Sequence, residues 1–194
     1  LIKKIFISTS ITLVVSQAVI VLDMLNDFVT GEIANDRADN IIPPLRDVLL
    51  PEARKSDVPV IYANDAHLPE DSELDVWGEH AMKGTYGAEV IPELEPQGDD
   101  YVFEKRFYDS FHETGLDHHL RQLGVDSVVI TGMHTNMCAR HTSASAFFHG
   151  YDIFAPRDCL EAFSEKEHSE GLEYLNNVYN ATITSSDELV EQFE

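Results

Sequence analysis

Three side chains of this sequence could work on one another as an acid, an ammonium and a thiol: Asp23, Lys105 and Cys138. Each stands at the end of a short apolar run. Asp23 ends the run over residues 18–23, Lys105 follows residues 101–104, and Cys138 comes a few residues after the run at 127–130. Thr131-Gly132 breaks that last run, and a helical pattern starts near Met137. Cys138 therefore falls in the first turn of a helix. Unpaired N–H groups and the positive end of the helix dipole gather there, which favours a thiolate. In one cleft, Asp23 would take the thiol proton, and Lys105 would stabilise both thiolate and carboxylate. The thiolate would attack a carbonyl, with the backbone N–H groups of His134 and Cys138 holding the developing oxyanion. Asp23 would return its proton to the leaving nitrogen and then activate the water that cleaves the thioester. Taken singly, each residue has a plainer reading: a small buried cysteine, a loop-capping carboxylate, a surface lysine. Three at equivalent strand ends are harder to set aside.

A second group is Asp65, His67, Glu73 and His80. Asp65 and His67 are alternate residues of an extended segment, so their side chains share a face and can reach one ion. Carboxylate and imidazole ligands suit Zn²⁺, with Fe²⁺ or Mn²⁺ as alternatives. Such an ion would polarise a substrate nitrogen or carbonyl, or orient water. The plainer alternative is that solvated His and Glu decorate an acidic loop. Nothing in the sequence asks for an organic cofactor.

The elements that must carry these residues alternate. Strands are expected at 18–23, 58–63, 101–104, 127–130, 151–155 and 181–184. Helices are expected through Ile41, Leu45, Val48 and Leu49 with Pro51 near the end, then at 112–123, from the Cys138 turn to Gly150, at 164–176 and at 186–193. Residues 26–35 read as a loop, and 64–85 as a polar stretch too long for a mere connector. His112, His118, His119, His149 and His168 fall on expected helix surfaces. Alternation of this kind gives an α/β fold, a three-layer α/β/α sandwich around a doubly wound, Rossmann-like parallel sheet. Ligands bind such sheets at the carboxyl ends of the strands, at the switch point. If the first and fourth strands are neighbours, Asp23, Lys105 and Cys138 meet there.

Composition narrows the partners. The 194 residues include 35 acidic and 13 basic side chains, a net charge of -22. Nucleic acid and anionic membrane surfaces would repel such a chain. An acidic coat of this density suits a halophilic cytoplasm, where salt screens the self-repulsion. Two cysteines are too few for a disulfide framework, so a reducing compartment is expected. Residues 1–17 read as an N-terminal extension or extra strand, ahead of one domain over 18–194; polar Ser8, Thr9, Ser10, Thr12 and Ser16 make a poor membrane span of it. Apolar Phe147-Phe148 is a candidate interface between copies.

Three motifs carry a resemblance. Val21-Leu22-Asp23-Met24-Leu25-Asn26-Asp27-Phe28, then Glu104-Lys105-Arg106, then Gly132-Met133-His134-Thr135-Asn136-Met137-Cys138 resemble the isochorismatase-like cysteine hydrolases, which include nicotinamidases and N-carbamoylsarcosine amidases. The match runs in order over residues 18–188. It implies a six-stranded parallel sheet, an Asp-Lys-Cys triad at Asp23, Lys105 and Cys138, and a cis peptide just before His134. It also implies a metal loop of one Asp and three His beside the pocket. Asp65, His67 and His80 match it, while Glu73 stands where a histidine is expected. It implies an aromatic substrate wall at Trp77 and a second wall at Phe28, and assembly as a homodimer or homotetramer. Members that hydrolyse isochorismate often lack the cysteine, so Cys138 points to a small amide or ureido substrate. Glu73 tilts that choice toward a carbamoyl or other non-nicotinamide compound. A vinyl-ether hydrolase of the isochorismatase type, or a catalytically silent binding protein of the same fold, are the alternatives.

Overall fold

The run Ala-Val-Ile-Val-Leu leaves no face for water, and in the computed structural model, which describes residues 16–193, it forms β1 (Gln17–Leu22) in the middle of the sheet. Val19 and Val21 point into one core with Leu45, Leu49 and Leu50. Ala18, Ile20 and Leu22 point into another with Leu116, Leu120, Ala139 and Ala146. Apolar side chains on both faces are the mark of a strand covered by helices on both sides.

Around β1 lie β2 (Val60–Asp65), β3 (Tyr101–Lys105), β4 (Ser127–Met133), β5 (Asp152–Pro156) and β7 (Thr182–Thr184), in the order β3-β2-β1-β4-β5-β7, with every pairing parallel. The sheet grows from β1 toward β3, then restarts on the other side of β1 with β4. The switch point therefore falls between β1 and β4, where the sequence needs it. The expected six strands are these; a seventh, β6 (Leu160–Glu161), pairs with the last two residues of β4. Two residues are too few to leave a sequence pattern.

The helices are α1 (Asn26–Val29), α2 (Ile42–Pro44), α3 (Leu50–Lys55), α4 (Leu74–Trp77), α5 (Leu116–Gln122), α6 (Cys138–His149), α7 (Glu165–Tyr179) and α8 (Ser186–Val190). Several depart from expectation. Residues 26–35 are not wholly loop, because Asn26–Val29 closes a helical turn. Pro51 does not end its helix: a wide turn over Leu45–Leu49 joins α2 to α3, which runs on to Lys55. Proline has no N–H to donate, and its ring collides with the carbonyl four residues back; the widened turn just before it relieves both. Helix α5 starts only at Leu116, α7 reaches Tyr179, and α8, opened by a Ser185–Glu188 capping box, stops at Val190. Of the expected extension, residues 1–15 lie outside the described residues, and Gln17 already belongs to β1. Among the described residues, no helix is long and apolar enough to cross a membrane.

Two glycines test this packing. Gly132 pairs with Leu22 and has φ +93°; a Cβ there would sit 2.0 Å from the Leu22 carbonyl oxygen. Gly150 caps α6 at φ +84° with open space around it. Gly132→Ala should lower unfolding free energy by about 3 kcal/mol or more, as backbone strain and a backbone clash combine. Gly150→Ala should cost only about 1 kcal/mol, the left-handed backbone term alone. Denaturant midpoints of the two variants check the ranking.

Candidate active site

Register does most of the assembly. Lys105 ends β3 directly opposite Asp65, which ends β2, so the two side chains share a face at one height. Asp23 is the first residue after β1, held at φ +51°. Its Oδ1 accepts a hydrogen bond from the Asp65 N–H at 2.8 Å. On the other side of β1, β4 leads into α6, whose first residue is Cys138. The Lys105 Nζ lies 2.9 Å from Asp23 Oδ2, 2.5 Å from Asp65 Oδ1 and 3.8 Å from Cys138 Sγ. Asp23, Asp65 and Cys138 each offer a ligand atom within 4.8 Å of the others. All four side chains are buried. The three residues named from strand ends are thus brought together, with Asp65 as a fourth member that sequence reasoning had assigned only to the metal loop.

The electrostatics overturn one expectation. A helix N-terminus favours a thiolate, yet burial pushes the Cys138 thiol well above its usual pKa; Lys105 opposes that rise, while Asp23 and Asp65 add to it. Lys105 loses solvation too, but the two carboxylates outweigh that loss and raise its pKa further. Burial, reinforced by Asp65, raises the Asp23 carboxyl to about 6 against the pull of Lys105. The neutral-pH state is a thiol beside an Asp23 carboxylate and a Lys105 ammonium. Two carboxylates and one ammonium already leave net negative charge in a dry site, and a preformed thiolate would add another.

The Met133–His134 peptide bond is cis. Among the described residues, neither the His134 nor the Cys138 backbone N–H has a backbone acceptor, whereas neighbouring Thr135, Met137 and Ala139 all do. Two unpaired donors beside the sulfur are what an oxyanion would need.

Asp65 Oδ2 faces the other way, toward His67, Glu73 and His80. His67 Nε2 is 3.7 Å from Asp65 Oδ2 and 4.0 Å from Glu73 Oε1, and His80 Nε2 is 3.9 Å from the same Glu73 oxygen. One ligand atom from each of the four lies within 4.8 Å of all the others. Four ligands about 2.1 Å from a tetrahedral ion lie about 3.4 Å apart, so a small contraction would close the set. Asp65 Oδ2, His67 Nε2 and His80 Nε2 are buried without hydrogen-bond partners, while the far nitrogens are used: His80 Nδ1 meets the Gly78 carbonyl at 2.8 Å and His67 Nδ1 meets Asp71 Oδ2 at 3.2 Å. That arrangement frees both Nε2 lone pairs for a cation. The residues present therefore fit a divalent metal. Glu73 takes its place among them, and burial, with Asp65 adding to it, raises its carboxyl to about 7.

Phe28, Ile33, Glu73, Trp77, His80, Tyr108, His134, Met137, Cys138 and Phe163 line a narrow cleft. Phe28 and Trp77 are both walls of it. Trp77 donates its Nε1–H to the Tyr108 hydroxyl at 2.9 Å and stacks on Phe163, which also stacks on the His134 ring. Tyr108 and Phe163 carried no signal in the sequence. Asp71, also missed, binds Arg106, the Leu68 N–H and His67 at once; its place four residues after His67 in an acidic loop was the available hint. Arg140 lies over the Tyr174 ring, 3.6 Å from its centroid. His168 is not on a helix surface but buried, with Nδ1 2.9 Å from Thr135 Oγ1. Cys159 is buried in the apolar core, and its thiol is pushed far up by that burial.

Known proteins share this fold. The isochorismatase domain profile matches residues 17–188. The chain is 40% identical to N-carbamoylsarcosine amidase from Thermoplasma acidophilum, covering 89% of this chain and 97% of that one, with a TM-score of 0.83. It is 32% identical to Nicotinamidase 3 of Arabidopsis thaliana over 80% of this chain and 78% of that protein. It is 25% identical to a Pyrococcus horikoshii pyrazinamidase solved in complex with zinc, over 88% of this chain and 99% of that one, TM-score 0.81.

Asp71 makes the four-residue cluster testable apart from any reaction. Asp71→Asn keeps the shape but weakens the grip on His67 Nδ1–H, and should reduce Zn²⁺ affinity by about 10- to 100-fold. Competitive titration with a chromophoric chelator reads the change, and an unaltered affinity would mean that His67 is not a ligand.

Proposed function

The chain belongs to the isochorismatase family of hydrolases, and from that premise we propose that it is a cysteine amidohydrolase cleaving the C–N bond of a small amide or ureide through a thioester. The observation that carries this reading is the buried cluster of Cys138 Sγ, Lys105 Nζ and the Asp23 carboxylate at the base of the cleft. As the Cys138 sulfur attacks the carbonyl carbon, its proton passes to Asp23. The carbonyl oxygen becomes an oxyanion against the N–H groups of His134 and Cys138. Asp23 then gives the proton to the nitrogen, the C–N bond breaks, and ammonia or an amine leaves. Water adds to the thioester with Asp23 as base, and the departing sulfur takes the proton back. Lys105 stays charged throughout, fixing Asp23 and offsetting the negative charge that gathers on sulfur and oxygen.

Asp65, His67, Glu73 and His80 would hold a divalent metal, zinc by ligand chemistry, which would supply a Lewis acid at the cleft wall. The lining favours a planar, uncharged substrate. Phe28, Trp77 and Phe163 offer aromatic faces, and among the described residues no arginine lines the cleft to receive a carboxylate. This reading retains both the amide and ureido classes of the family relatives and disfavours strongly anionic members of either.

Ammonia release across a panel of neutral aromatic amides, aliphatic amides and ureides, with and without chelator, tests the proposal. At least one neutral member should be turned over, and Cys138→Ala should lower its kcat by about 1000-fold or more. A Cys138→Ala enzyme that keeps most of its activity would instead indicate vinyl-ether hydrolysis. A wild-type protein that turns over nothing, and whose Cys138 reacts with iodoacetamide no faster than a free thiol, would be a binding protein of this fold.

A further inference from the structure

Behind the loop that carries the two free N–H groups lies a buried polar assembly with no part in the chemistry just described. Thr135 follows His134 directly and is fully buried. Its N–H donates to the Glu161 carbonyl at 2.9 Å, and its Oγ1 lies 2.9 Å from His168 Nδ1. His168 sits in the first turn of α7, and Gly171 follows three residues later on the same face. A Cβ on Gly171 would come within 2.9 Å of Thr135 Cγ2 and 3.3 Å of the Asn136 N–H nitrogen. The helix backbone is therefore pressed against the loop at the one residue that allows it. Glu161 is itself fixed: it pairs with Arg37 at 3.0 Å, accepts from Asn40 Nδ2 at 3.0 Å and from the Ala162 N–H at 2.9 Å. Asn35, from the opposite face of the sheet end, reaches the Ala162 carbonyl at 3.2 Å.

We propose that His168, acting through the Thr135 hydroxyl, is a positioning residue that fixes the backbone N–H groups of His134 and Cys138 for the oxyanion. Thr135 is bonded from two sides, by the β6 backbone and by α7, and it lies one residue after one donor and three before the other. A hydroxyl and an imidazole, both buried, would be costly to leave unmatched, so each holds the other. The bond fixes the rotation of the loop about the end of β4. Donors aimed at a developing charge lose their effect when they shift by fractions of an ångström, and a hydrogen bond from behind is how such a loop is held still. None of these groups lines the cleft, so their loss should alter turnover without altering substrate contacts.

The inference rests on the oxyanion reading above, and its test separates the two. Thr135→Val removes the hydroxyl at nearly constant shape, and His168→Phe removes the partner. Thr135→Ser keeps the hydroxyl, and His168→Asn keeps a polar atom at the height of Nδ1. In Thr135→Val and His168→Phe, kcat for the best amide of the panel should fall about 10- to 100-fold with KM little changed, while Thr135→Ser and His168→Asn stay within about threefold of wild type. Alkylation of Cys138 by iodoacetamide displaces iodide at carbon and develops no oxyanion, so its rate should hold in all four. Benzaldehyde supplies an arm independent of amide turnover. Its carbonyl carbon bonds to the Cys138 sulfur, the thiol proton passes to Asp23 and the carbonyl oxygen becomes an alkoxide against the two N–H groups, so its affinity should fall in step with kcat in the first two variants alone. If no amide is cleaved by the wild type, the amidohydrolase reading fails and the benzaldehyde arm still decides the role of His168. Unchanged kcat and benzaldehyde affinity in Thr135→Val would overturn the inference. So would an alkylation rate that collapses in parallel with kcat, since that would mark a general loss of structure.

Discussion

The site depends on a single buried ammonium. Lys105 lies between the carboxylates of Asp23 and Asp65, with all three side chains out of water. Each carboxylate alone in that interior would be neutralised or would cost several kcal/mol; removing one partner of a buried pair typically costs about 3–5 kcal/mol. The lysine makes both tolerable at once. Strand register fixes it there, because Lys105 and Asp65 are cross-strand partners at the ends of β3 and β2. Asp65 then divides its two oxygens, one toward Lys105 and one toward His67 and the rest of the candidate metal cluster. The nucleophile's surroundings and the metal loop therefore share one carboxylate, and neither can shift without disturbing the other.

This arrangement changes how the cysteine is understood. Position at a helix start suggests a ready thiolate, but two carboxylates and the loss of water argue for a thiol. A thiol can still attack if its proton leaves as the bond forms, which requires an acceptor already in place. In the proposed mechanism Asp23 is that acceptor, and burial lifts its affinity for a proton toward neutrality. The burden of catalysis then moves from activating sulfur to receiving the charge on oxygen.

Much of this was legible in the sequence, and the reasons differ by residue. Asp23, Lys105 and Cys138 could be found because strands buried on both faces leave unbroken apolar runs, and the residues just past such runs are brought to one edge of the sheet. Asp65, His67, Glu73 and His80 could be found because ligand types and close spacing are local. What was missed depends on contacts distant in sequence. Tyr108 and Phe163 reach the cleft from loops with no periodic signal, and β6 is too short to have one. His168 was a different failure, since His168, Gly171 and Leu175 recur at helical spacing on the buried face of α7. A histidine in an acidic helix was assigned to solvent by type when the period placed it inside. The direction of the Cys138 shift could not be read at all, because it depends on burial and on Asp65 lying near the sulfur, which only the fold supplies.

The chain's acidity acquires two meanings once the fold is known. Most of its 35 acidic residues need no partner, because they face water that screens them. Among those with little exposed side chain, Asp23 and Asp65 are paired with Lys105, Glu161 with Arg37, Asp71 with Arg106 and Asp100 with Arg54. With only 13 basic residues available, placing cations at these positions is a strong constraint on the chain. Three of these five acids belong to the buried cluster or touch the histidines beside it, a fourth, Glu161, braces the loop behind it, and Asp100 lies apart. Lys105, Arg37 and Arg106 thus place three of the 13 cations at or beside the cleft. A lysine buried between two carboxylates beside a cleft argues for a functional site rather than for a scaffold that only needs to stay folded.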